Sequence, residues 1–332
     1  ADQGIHLSEE LGLKTFRTFT DESGRERVFH GVNAVVKGPP WLPSIGKFDA
    51  NVSLGADDFA FLQQHGVNVI RLGLMWAGAE PKRGEFDEKY LKQAKDMAAE
   101  AATYGIYTLL DMHQDVMSDK FCGEGVPAWA AVPTGYLAFP EPIGLAFSEV
   151  DPRNGFPTKT DCMKHSWPSY YLTEAVCTAF QNLYDNKDGL LDAWGGFWAK
   201  VAETFMGDKH VLGFELINEP WAGDAIHNPG LLVPGVADHK NLQPAYDVLS
   251  KAIRAVDPSR LIFFEGVTWG RTGFTEVPGG SEFANRSVLA YHHYEIPAGP
   301  KKPNTSASDL DDRLADGKRL RCGLFLTEFA AP

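Results

Sequence analysis

Seven short apolar runs, separated by helical stretches, are the feature that most narrows the folds open to this chain. They lie at 28–36, 67–74, 106–113, 211–218, 261–264, 288–293 and 324–327. Each is rich in β-branched or aromatic residues, the signature of strands buried on both faces of a parallel sheet. Between them the spacing predicts helices over 57–64, 87–104, 189–205, 242–256 and 309–320. Gly105 marks the end of the second, and Asp257-Pro258 the end of the fourth, where proline cannot continue a helix. Strand, helix, strand in repetition is the order of a parallel α/β fold. At 332 residues the chain is long enough for one (β/α)8 TIM barrel. No eighth strand and helix follow the run at 324–327. The expectation is therefore a barrel over 1–332 that is incomplete at its C-terminal side.

The stretch 114–188 separates the third strand from its helix. It is rich in Gly, Pro and aromatic residues, and so long a structureless loop would be unusual. It reads as a folded insertion on the strand-end face, where barrels build their sites. Two apolar pieces within it, 135–140 and 143–147, suit either the roof of an apolar channel or the core of a small subdomain.

Composition excludes several classes. A net charge of −13 argues against a nucleic-acid partner, since phosphate calls for a basic face. No apolar run reaches the length of a membrane span. Four cysteines, Cys122, Cys162, Cys177 and Cys322, form no CxxC pair. They are either buried thiols or include a disulfide, which requires an oxidising compartment. The start at Ala1-Asp2-Gln3-Gly4 suits a secreted protein after signal removal. The histidines lack HExxH-type spacing, and neither a metal nor another cofactor is expected.

Parallel barrels place catalytic groups at the C-terminal ends of their strands. Two carboxylates stand there: Glu219, in Leu216-Ile217-Asn218-Glu219-Pro220-Trp221, and Glu328, in Phe325-Leu326-Thr327-Glu328-Phe329. Both follow buried runs, where an idle carboxylate is costly. A pair of carboxyl groups on opposite sides of one bond is what retaining glycoside hydrolysis needs. A buried ion pair bracing the rim is the bland alternative. Arg71 ends the second strand and would hold Glu328 ionised. His113 ends the third, and His292 and Tyr294 end the sixth.

These residues, in this order, resemble glycoside hydrolase family 5 of clan A, and the resemblance runs from Gly31-Val32-Asn33 onward. It implies Glu219 as acid/base and Glu328 as nucleophile, about 5 Å apart as in the retaining class. It also implies Arg71 bonded to the nucleophile, Tyr294 beside it, and His292 behind Glu219 or near the sugar. Asn218 would reach the sugar 2-hydroxyl, and His113 would donate to a hydroxyl.

Finer motifs resemble the endoglycoceramidases, which cut between an oligosaccharide and ceramide. They are Val35-Val36-Lys37-Gly38-Pro39-Pro40-Trp41, Trp76-Ala77-Gly78-Ala79-Glu80-Pro81, Asp111-Met112-His113-Gln114-Asp115 and Asn218-Glu219-Pro220-Trp221-Ala222-Gly223. The resemblance implies that Lys37 and Asp115 bind the first sugar, that a β-sandwich domain follows the barrel, and that membrane or micelle contact is transient. Trp41, Trp76 and Trp129 are candidates to stack on sugars or to pack internally. An endo-β-1,4-glucanase or mannanase of the same family, and a non-catalytic glycan- or lipid-binding barrel, are the alternatives.

Overall fold

A computed structural model describes residues 4–9, 14, 16–46, 48–144, 147, 149–267, 270–294 and 305–330. A short antiparallel hairpin comes first, β1 (Ile5–Leu7) with β2 (Phe19–Asp21). Seven parallel strands follow in sequence order: β3 (Gly31–Ala34), β4 (Val69–Gly73), β5 (Tyr107–Asp111), β6 (Val211–Glu215), β7 (Leu261–Glu265), β8 (Ser287–Tyr294) and β9 (Gly323–Ala330). The helices are α1 (Ala56–Gln64), the one-turn α2 (Trp76–Ala79), α3 (Glu88–Thr103), the one-turn α4 (Lys159–Cys162), α5 (Glu174–Tyr184), α6 (Leu190–Thr204), α7 (Gln243–Val256) and α8 (Thr305–Leu320). This is the (β/α)8 barrel pattern with seven strands, open between β3 and β9.

Alternation along each strand builds two cores. Val69, Leu109, Phe263, Val288 and Ala290 point into the barrel. Ile70, Leu72, Leu110, Phe214, Ile262, Phe264 and Leu289 point outward and pack beneath the helices. Gly213 has to be small, because a Cβ there would lie 2.5 Å from the Phe263 ring. The hairpin closes the barrel floor: Ile5, Leu7 and Phe19 join the inner core, with Phe19 stacked 6.3 Å from Phe263. Strands of three residues carry too short a pattern to be read from sequence. The first barrel strand starts at Gly31, not at residue 28. Val28 is exposed, and Asn68 takes up the backbone around it, donating to Val28 O and accepting from His30 N at 2.9 Å each.

Helix α3 illustrates the local logic. The Asp87 side chain accepts the Lys89 and Tyr90 N–H groups at 2.9 and 3.1 Å and so caps the first turn. Its buried residues, Tyr90, Leu91, Ala94, Met97, Ala98 and Ala101, form one apolar stripe. The chain leaves the helix through Gly105 at φ 72°, a left-handed position that suits glycine.

The insertion is folded, and it shares the main core. Phe121, Tyr170, Tyr171, Val176 and Phe180 are buried in the same cluster as the outer barrel residues. Within the two apolar pieces, Phe139 and Phe147 pack against each other and against Tyr170, at ring distances of 5.3, 5.4 and 6.2 Å. These rings therefore serve as core. Tyr136 and Leu137 stay exposed. Leu145 and Ala146 lie outside the described residues. A disulfide joins Cys122 to Cys162 across 40 positions, while Cys177 and Cys322 are buried thiols.

That cross-link restrains the unfolded insertion. Replacing Cys122 and Cys162 together by serine should cost about 2–4 kcal/mol of stability. Denaturant titration reads this directly, and an unchanged midpoint would show the bond to be energetically idle.

Candidate active site

The inward residues at the upper end of the barrel are charged, and Arg71 stands at their centre. Its side chain is 4% exposed. The Nε group donates to Glu215 Oε2 at 2.6 Å, and Nη1 donates to Glu328 Oε2 at 3.1 Å. Nη2 donates to Asn218 Oδ1 at 2.9 Å and lies 3.0 Å from Asp111 Oδ2. Burial disfavours the cation, but Asp111, Glu215 and Glu328 outweigh it and hold the guanidinium charged. Asn218 is locked between Arg71 and Gln114 O, to which its Nδ2 donates at 3.0 Å. One amide hydrogen remains for a ligand.

Glu219 follows β6 with φ at +40°, a left-handed backbone that costs a non-glycine residue about 1 kcal/mol or more. Neighbours hold it there. Gln114 Nε2 donates to Asn218 O at 2.8 Å and to Glu219 O at 3.0 Å. Glu219 N–H donates to Glu265 Oε2 at 2.8 Å. On the side chain, His292 Nδ1 lies 2.8 Å from Glu219 Oε1. Burial alone would lower the His292 pKa; Glu265 and Glu219 facing it raise it to about 9.

Glu328 reaches the same space through an irregularity. Along β8 and β9, Tyr291 pairs with Leu326, but His292 pairs with Glu328. The shift skips Thr327 and sets Glu328 opposite the inward-facing His292. Tyr294 donates its hydroxyl hydrogen to Glu328 Oε1. Burial and the Glu328 charge keep that phenol protonated, raising its pKa. One carboxylate oxygen of Glu219 and one of Glu328 lie within 4.8 Å of each other. The two side chains are 20% and 22% exposed, so both open into the cleft.

The rim carries a second polar group. Lys37 is ion-paired to Asp115 and lies 3.4 Å from Glu124. His113 holds Asp111 through Nδ1 at 2.7 Å and lies 3.5 Å from Asp115 through Nε2. Burial opposes the His113 charge, yet Asp111 and Asp115 raise its pKa to about 9. Burial also raises Glu124, to about 7, with Asp115 adding to it. Lys37, His113, Asp115, Asn218, Glu219, Tyr294 and Glu328 line one cleft. Arg71 and His292 stand just behind it.

Trp167 and Phe329 line the same cleft beside Tyr294, with Lys37 Nζ 5.8 Å from the Trp167 ring centre. None of the three tryptophans singled out from sequence is there. Trp76 is fully buried and donates to Glu80 Oε2 at 2.7 Å, while Trp129 packs on its edge and donates to Glu80 O at 3.0 Å. Trp41 packs against the core. Trp167 sits deep in the insertion, where no strand end marks it. Glu215 and Glu265 were also missed, although both sit at the very ends of strands, the signal that marks Glu219. The donors Glu215, Glu265 and His292 lie within 4.8 Å of one another, as do those of Glu219, His292 and Glu328. Both sets lie beside the Arg71 cation, which disfavours a second cation electrostatically.

Paired carboxylates at the C-terminal ends of parallel barrel strands, braced by an arginine, a histidine and a tyrosine, define a glycosidase-type site. Residues 46–332 match the family profile described as Cellulase (glycosyl hydrolase family 5), and the chain belongs to that family. It is 54% identical over 330 residues to an endoglycoceramidase of Hydra vulgaris, covering 99% of this chain and 62% of that protein. It is 52% identical over 310 residues to an endoglycoceramidase of Cyanea nozakii, covering 93% and 60%. The chain thus spans about three fifths of the length of these relatives. Among solved structures it resembles endo-glycoceramidase II from Rhodococcus sp. in complex with a five-membered iminocyclitol. The TM-score there is 0.65 at 25% identity, covering 90% of this chain and 63% of the other.

The raised pKa of His113 has a stability consequence. Its folded value of about 9 exceeds the unfolded value of 6.5, so folding retains a proton between them. The contribution is complete below pH 6.5 and is lost as pH rises towards 9. Denaturant unfolding at pH 6, 7.5 and 9 should show this fall, and His113→Gln should reduce it, leaving the part that His292 contributes over the same range.

Proposed function

We propose that this chain carries the catalytic barrel of a retaining endoglycosidase that cleaves the β-bond between an oligosaccharide and ceramide. The observation that carries the reading is the carboxyl pair, with oxygens within 4.8 Å and Arg71 and Tyr294 both bonded to Glu328. That spacing suits double displacement and leaves too little room for the water of an inverting mechanism.

In the first step Glu219 gives its proton to the glycosidic oxygen while Glu328 attacks the anomeric carbon. The bond to ceramide breaks, ceramide leaves as an alcohol, and a glycosyl ester forms on Glu328. In the second step Glu219 takes a proton from water, which attacks the same carbon and releases Glu328. Two inversions leave the anomeric configuration unchanged. Arg71 and Tyr294 fix the nucleophile and accommodate its change of charge. The remaining hydrogen of Asn218 Nδ2 is available to the sugar 2-hydroxyl, and Lys37, His113 and Asp115 to the hydroxyls beyond it.

Several features favour a glycolipid over a polysaccharide. The relatives from Hydra vulgaris and Cyanea nozakii carry the name endoglycoceramidase. Tyr136, Leu137, Trp167, Leu172, Leu232 and Val233 are exposed on the loops that follow β5 and β6. Exposed apolar side chains on the site face suit alkyl chains and brief contact with a micelle or membrane surface. The Cys122–Cys162 disulfide favours an oxidising, secreted setting.

Mass spectrometry of a glycosphingolipid digest should find intact ceramide and a whole oligosaccharide. Release of sugar from cellulose or mannan, with glycolipid untouched, would instead favour the polysaccharide reading. Glu328→Gln should lower turnover at least 1000-fold on either substrate while retaining binding, and an unchanged rate would remove Glu328 from the nucleophile role. With an activated aryl glycoside, Glu219→Ala should slow turnover and azide should restore it.

A further inference from the structure

Glu265 ends β7, is 3% exposed and takes no part in the two displacement steps. Its carboxyl nevertheless reaches the acid/base from two directions. Oε2 accepts the backbone N–H of Glu219 at 2.8 Å. Oε1 lies 3.7 Å from Nδ1 of His292, the same nitrogen that meets Glu219 Oε1 at 2.8 Å. Among the described residues no lysine or arginine pairs with Glu265, and the basic side chain that faces it is His292.

What it holds is a residue in an unfavourable conformation. Glu219 has φ +40°, which a side-chain-bearing residue adopts only when its surroundings impose it. Gln114 Nε2 fixes the carbonyl side of that residue at 3.0 Å, and Glu265 fixes the amide side. The angle at Glu219 sets where its carboxyl points, and a proton donor displaced by about 1 Å loses much of its effect.

We propose that Glu265 is a positioning residue for the acid/base: it clamps the left-handed backbone of Glu219 and orients His292 against the Glu219 carboxyl. The inference rests on the retaining-glycosidase reading and adds to it a residue outside the set that touches substrate. Burial, opposed by His292 and reinforced by Glu219, raises the Glu265 pKa to about 8, in keeping with a carboxyl committed to the protein interior.

The role makes a demand that a merely structural residue does not. A misplaced acid hurts most when the leaving group needs a proton. The test uses one oligosaccharide carrying either ceramide or 2,4-dinitrophenol and compares kcat/KM, which reports steps through formation of the glycosyl-enzyme. Glu265→Ala should lose at least 100-fold on the ceramide glycoside and less than 5-fold on the dinitrophenyl glycoside. Glu265→Asp keeps the carboxyl group but falls short of the Glu219 N–H, so it should show the same asymmetry and carries the test if the alanine variant does not fold. Glu265→Gln retains an oxygen acceptor at full reach and should regain at least 10-fold on the ceramide glycoside. Equal losses on both substrates in the aspartate variant, or no recovery with glutamine, would overturn the positioning role. A parent protein that cleaves neither glycoside would overturn the glycosidase reading and this inference with it; an active parent separates the two.

Discussion

A single buried cation organises the upper half of the barrel. Arg71 is held by Glu215, Asp111 and Glu328, with Asn218 sharing Nη2 with Asp111. The partners come from β5, from β6 and the loop after it, and from β9, so the guanidinium ties β4, β5, β6 and β9 at one level. Charges at this depth persist only when they balance, and removing one partner of a buried pair costs about 3–5 kcal/mol. The loop after β5 also carries Gln114, one of the residues that hold Glu219. Glu328, Asn218 and the Asp111–His113 pair thus share one electrostatic anchor. An arginine suits the position because its planar fork offers several donors in fixed directions, which an ammonium cannot.

Much of this was legible in the sequence, for physical reasons. Strands buried on both faces must be apolar, so the seven runs stood out. Helices packed on one side must be amphipathic, so α3, α6 and α7 stood out too. Glu219, Glu328, Arg71, His113, Asn218, His292 and Tyr294 were found because each follows or ends an apolar run. The same rule points to Glu215 and Glu265, which lie at the very ends of β6 and β7. Whether such a carboxyl faces substrate or a backbone amide depends on register, and register comes from the folded sheet.

The insertion was less legible. Its aromatics look alike in composition, yet Phe139 and Phe147 pack inward, Tyr136 is exposed and Trp167 lines the cleft. No periodicity separates these fates, because irregular chain has no fixed repeat. Trp76, just after a strand, and Trp129, inside the insertion, were candidates either to stack on sugars or to pack internally. The indole N–H of each instead finds Glu80, and the pair stacks edge to face inside the core. The disulfide was open on sequence grounds, because four cysteines allow several pairings.

The skipped residue between β8 and β9 has a wider meaning. On a strand, side chains alternate, so the face on which a residue appears depends on counting from the last paired position. Tyr291 and His292 are adjacent, whereas their partners Leu326 and Glu328 are separated by Thr327. Glu328 therefore faces the cleft through a difference in length between two neighbouring strands, not through its own chemistry. The aim of this carboxylate is partly arithmetic: a ladder without the skip would set Thr327 opposite His292 and turn Glu328 away from Arg71.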